Sequence, residues 1–159
     1  MGVKNALSFK ARTINSLLVL GLFMCVSVSS YGDIKPSPQW AERYLHKHMP
    51  ILLKNSHTDH VIAFYYFGRY QDFTIMGMER VKGDNYEPSN TILIFKNSIL
   101  QGYYEEALVF PAGVSDQGQV FFPANSAADQ NIDLAQGSYP AITFNQQSET
   151  ASTYIKLLP

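Results

Sequence analysis

The apolar positions of this chain change period once. Trp40, Ala41, Tyr44, Leu45 and Met49 recur every three or four residues, the spacing of a helix with one buried stripe. Ser37 reads as its N-cap and Pro38 as its first helical residue. Pro50 ends or kinks it, and Ile51 to Leu53 can add one more turn before Asn55 and Ser56.

Beyond residue 59 the pattern becomes that of strands. Val61 to Phe67 (VIAFYYF) predicts a strand apolar on both faces. Gly68 to Asp72 can turn, and Phe73 to Val81 predicts a second strand. The Gly, Asp, Asn, Pro and Ser of Lys82 to Asn90 predict a loop. Thr91 to Phe95 is a third strand, Lys96-Asn97-Ser98 a tight turn, and Ile99 to Phe110 a long fourth strand. Pro111 to Gly118 turns, and Gln119 to Phe122 returns. Pro123 to Gly137 is a long polar loop in which Ile132 and Leu134 are the large apolar exceptions. Tyr139 to Phe144 and Thr153 to Leu158 are the last strand candidates. Short strands joined by short turns favour antiparallel pairing, and there is no strand–helix alternation of the kind that builds parallel sheets. The expected class is α+β: one N-terminal amphipathic helix packed on a curved antiparallel sheet of about five to seven strands. A small antiparallel barrel is the alternative, because closure also removes exposed edges.

The N-terminus has a different character. Lys4, Lys10 and Arg12 precede an apolar run from Ile14 to Val28, small residues follow, and no acid occurs before Asp33. These are the parts of a secretory signal, and the run is short against the roughly 20 residues of a membrane-spanning helix. The expected division is a signal peptide over residues 1–30 and one globular domain over 31–159, with an uncleaved signal anchor as the alternative. Either way the body is exported, periplasmic or extracellular, or held at the inner membrane by the anchor. Any membrane contact then runs through the N-terminal segment alone. Phe23 and Met24 before Cys25 argue against lipoprotein processing, which wants small residues there.

Setting aside Lys4, Lys10 and Arg12 leaves nine basic residues against thirteen acidic ones, a net charge of −4 for residues 31–159. That balance gives no support to nucleic acid as a partner. The same 129 residues carry no cysteine, which excludes thiol chemistry and leaves packing alone to hold the domain. There is no Gly-x-Ser-x-Gly elbow, no phosphate-binding glycine loop and no dinucleotide fingerprint, and the expected cofactor is none.

His46, His48, His57 and His60 fall within fifteen residues. His46 and His48 stand about 200° apart on a helix and cannot share a metal. His57, Asp59 and His60 form the candidate metal set, or a histidine–acid pair for hydrolysis. Glu105 and Glu106 are adjacent acids, which strand alternation would turn to opposite faces. The aromatic residues are the more unusual feature. Tyr65, Tyr66, Tyr70, Tyr103 and Tyr104 are the candidate ligand- or partner-binding residues, since tyrosine suits surfaces that are dry at one end and wet at the other. The expected function is a non-catalytic exported binding module that recognises a protein partner or an apolar small ligand through an aromatic sheet face. A membrane-anchored accessory subunit of an envelope sensor or assembly is the second reading, and a hydrolase using His57 or His60 with Asp59, with or without a metal, the third. A strand apolar on both faces must be covered on both. The helix can cover one; a second sheet, a partner or a closed barrel would have to cover the other.

Overall fold

A computed structural model of the chain describes residues 35–144 and 151–157. The signal segment expected over residues 1–30 lies outside the described residues. Among the described residues no helix is long and apolar enough to cross a membrane.

The elements follow in chain order. A two-residue strand β1 (Lys35–Pro36) leads to helix α1 (Gln39–His48) and a 3-10 turn (Pro50–Leu53). Strands β2 (Asp59–Tyr70), β3 (Phe73–Lys82), β4 (Glu87–Pro88), β5 (Asn90–Lys96) and β6 (Ile99–Ala107) come next. Then come β7 (Gly113–Val114), β8 (Gln119–Phe121), a 3-10 turn (Ala124–Ser126) and β9 (Ile132–Asp133), followed by β10 (Ile142–Thr143), β11 (Ala151–Ser152) and β12 (Tyr154–Lys156). Seven strands form one antiparallel sheet in the order β1-β2-β3-β5-β6-β12, with β4 beside β3. Its two ends are not paired with each other, so the sheet is open and the barrel alternative is corrected. Among the described residues the protein is mostly antiparallel sheet with one α-helix.

Local chemistry explains the turns. Asn97 and Ser98 both take positive φ, 50° and 63°, the geometry of the two-residue hairpin turn that matches strand twist. Strand β2 runs on through Gly68 to Tyr70, where a turn was expected. Gly68 sits at a bulge with φ +143°, and a Cβ there would stand 3.1 Å from the Val114 side chain, so the glycine serves close packing rather than chain reversal. The helix begins one residue later than expected. Pro38 is its N-cap, and the Ser37 hydroxyl donates to Glu42 Oε1 at 2.5 Å rather than accepting from a backbone N–H of the first turn.

Two cores lie on the two faces of the sheet. Ala41 and Leu45 of α1 and Leu52 are buried against Met76, Met78, Leu93, Phe95 and Leu100. Trp40 and Tyr44 meet the Phe95 ring edge-on at 5.1 and 5.6 Å. The opposite face, carrying Ile75, Ile92, Ile94 and Tyr104, is covered by the chain's own excursion between β6 and β12. From that excursion Val120, Phe122, Ile132, Leu134, Ile142 and Phe144 are buried there. The three-stranded sheet β7-β8-β9 carries part of this cover. Ile132 and Leu134, the two large apolar residues of an otherwise polar loop, are 0% and 3% exposed. The outer edge of β2 is blocked at its start: the Val61 amide donates to Asn55 Oδ1 at 3.0 Å, and Ser56 N–H donates to the Asp59 carbonyl at 2.8 Å. That closes part of an edge that could otherwise recruit another chain.

Candidate functional site

Strand alternation divides the aromatic run of β2 between the two faces. Phe64 joins the helix-side core. Tyr65 and Phe67 turn to the other face, where the register sets Gly77 of β3 directly opposite Tyr65. A side chain at position 77 would occupy the space now taken by two rings. Its Cβ would stand 2.5 Å from Phe110 and 2.6 Å from Phe67. Phe110 arrives from the segment after β6, its ring centroid 5.4 Å from Tyr65 and 5.2 Å from Phe67. The Tyr65 and Phe67 centroids are 6.4 Å apart. All three residues are half-buried, and Phe67 and Phe110 pack on the core, so together they make a partly exposed aromatic shelf.

Glu79 stands at the polar end of this shelf, two residues along β3 from Gly77. The Tyr65 hydroxyl donates to Glu79 Oε2. That bond, then burial, then the carboxylate's charge push the Tyr65 phenol above its usual pKa. Among the described residues the ion pairs are Arg80–Asp59 at 2.8 Å and Lys82–Glu106 at 2.9 Å. Glu79 is half-buried and takes part in neither.

The five tyrosines singled out from the sequence do not form one surface. Tyr65 lies on the shelf. Tyr104 is on the same face but is 0% exposed. Its hydroxyl donates to the Pro140 carbonyl at 3.0 Å, and burial raises its pKa. Tyr70 packs against the same core, with its ring against Gly118, and accepts from Gln71 Nε2 at 3.0 Å. Tyr66 alternates to the helix side, opposite Met76. Tyr103 also packs on the helix side, its pKa raised by burial and then by Glu105. Phe67, Phe110, Gly77 and Glu79 complete the shelf and were not among the expected binding residues. A glycine within an apolar strand is a known sign of close approach, and Gly77 was the available clue.

The histidine region is organised around an arginine. Arg80, 8% exposed, donates from Nε to Asp59 Oδ1 at 3.0 Å, from Nη1 to the Leu52 carbonyl and from Nη2 to the Lys54 carbonyl at 3.0 Å. Asp59 is therefore neutralised by the chain itself. His57 is exposed, and His60 Nε2 lies 3.2 Å from the His57 carbonyl. Among the described residues no three His, Cys, Asp or Glu side chains are grouped to hold a metal ion. Glu105 and Glu106 do not follow simple alternation, because Glu106 takes a left-handed φ of 56° at a register shift and reaches across to Lys82. The chain matches no family model, no curated protein and no solved structure.

Proposed function

We propose that the domain is a non-catalytic exported binding module of α+β class, and that it engages a protein partner through the shelf of Tyr65, Phe67 and Phe110. The observation that carries this reading is the partial exposure of three packed rings on a face that the chain's own excursion otherwise covers. Rigid aromatic side chains with one wet side are the usual anchors of protein interfaces. Export is supported by the basic start and apolar run of the N-terminal segment. A photo-reactive residue placed at Phe110 in the native cellular setting tests the reading, with Tyr86 in the β3–β4 turn, 70% exposed, as the control position. A discrete protein adduct from position 110 and none from position 86 is the expected result. No adduct at 110, or equal adducts from both, would overturn it.

A further inference from the structure

We infer that the shelf receives a guanidinium group, an arginine side chain of the partner, with Glu79 as its counter-charge. This rests on the reading of the shelf as the binding surface and adds the chemistry of what binds there. Three observations converge. The first is a half-buried carboxylate that has no cationic partner among the described residues, although Asp59 and Glu106 each have one. The second is the identity of its neighbour. Among the described residues, the one group that bonds Glu79 is the neutral Tyr65 hydroxyl, which donates to Oε2. A carboxylate offers about four lone-pair sites, so capacity for a forked donor remains. The third is ring placement. Tyr65, bonded to Glu79, is also in contact with Phe110 at 5.4 Å, which sets the carboxylate beside aromatic surface.

A guanidinium suits this combination better than an ammonium. It is planar, it stacks on ring faces, and it presents paired N–H donors to a carboxylate. Charge over the rest of the domain acts in the same direction, since residues 31–159 carry thirteen acids against nine basic residues. Long-range attraction of a basic segment follows from that balance.

The probes are N-acetyl-arginine amide and its uncharged citrulline counterpart, titrated into the full chain and followed by the ring proton resonances of Tyr65 and Phe110. The expected result is saturable shifts with the arginine probe and none with the citrulline probe. Glu79→Gln should weaken arginine binding by at least about tenfold while keeping the Tyr65 contact, because the glutamine oxygen still accepts from the hydroxyl. Glu105→Gln makes the same change in net charge away from the shelf and should leave binding as it was. Equal binding of the two probes, no binding of either, or equal losses from Glu79→Gln and Glu105→Gln would overturn the inference. If adducts at position 110 persist in any of those cases, the shelf is still the interface and only the guanidinium assignment falls. If the adducts are also absent, both fall.

Discussion

Replacing Arg80 with Met should be one of the more damaging single changes away from the apolar core, and its size can be worked from the contacts. The Met stem fills most of the space of the arginine chain, so loss of packing is small. What is lost is the set of donors. The carbonyl of buried Leu52 is left without one, at a cost of about 2 kcal/mol. The Lys54 carbonyl belongs to an exposed residue and can turn to water, so its share is about 0.5 kcal/mol. The Asp59 side chain is 29% exposed, and screening holds its share below about 1 kcal/mol. The total is about 3 kcal/mol, or roughly 10 °C in Tm for a domain of this size. Asp59→Asn removes the charge pair and keeps the carbonyl anchors, so it should cost less than about 1 kcal/mol. Urea unfolding of both variants at low and high salt measures these terms separately. The Asp59 share should shrink with salt and the carbonyl share should not. A loss below about 1 kcal/mol for Arg80→Met, or equal losses for the two variants, would refute the view that Arg80 acts mainly by tying the Leu52–Lys54 backbone to the sheet.

Other consequences are as direct. Gly102→Ala would drive a methyl group into the Tyr154 ring and the Ile155 carbonyl. Because one obstacle is backbone, it should destabilise by about 1–3 kcal/mol, with amide exchange rising first in β12. Gly77→Ala meets ring edges of half-buried Phe110 and Phe67, which can swing outward. It should cost less than Gly102→Ala and show as altered ring resonances of the shelf. Leu45→Ala, at a site 0% exposed, should lose about 2–5 kcal/mol in denaturant unfolding. In alkali, burial pushes the Tyr154 phenol up to about 12, above its ordinary value near 10. The unfolded chain therefore ionises first, and stability present below pH 10 declines as pH rises toward 12. Tyr154→Phe should flatten that decline, as read by Tm against pH.

Helix α1 and strands β2, β3, β5 and β6 were legible in the sequence, because local chemistry specifies them; β4 falls in the segment read as a loop. The Trp40 stripe has the helical period and stops at Pro50. Asn97 and Ser98 tolerate the positive φ that their turn requires. Alternation in VIAFYYF shows that two faces of β2 are apolar, and hence that both need a cover. The identity of the second cover was a tertiary matter. Ile132 and Leu134 have no period to read, since an isolated apolar residue in a polar loop is equally compatible with solvent and with a core. Their burial follows from the path of the whole segment between β6 and β12. The same holds for the candidate site. Tyr65 could be named from its strand, but its usefulness depends on Phe110, on Gly77 leaving room for that ring, and on Glu79 lying within reach of the hydroxyl. Asp59 is a candidate metal ligand by its neighbours in sequence, and its bond to Arg80, 21 residues away, is a contact that no local pattern reveals. Local propensity and periodicity determine which segments are helix and strand; burial and pairing are settled by contacts between segments far apart in sequence, which no local pattern encodes.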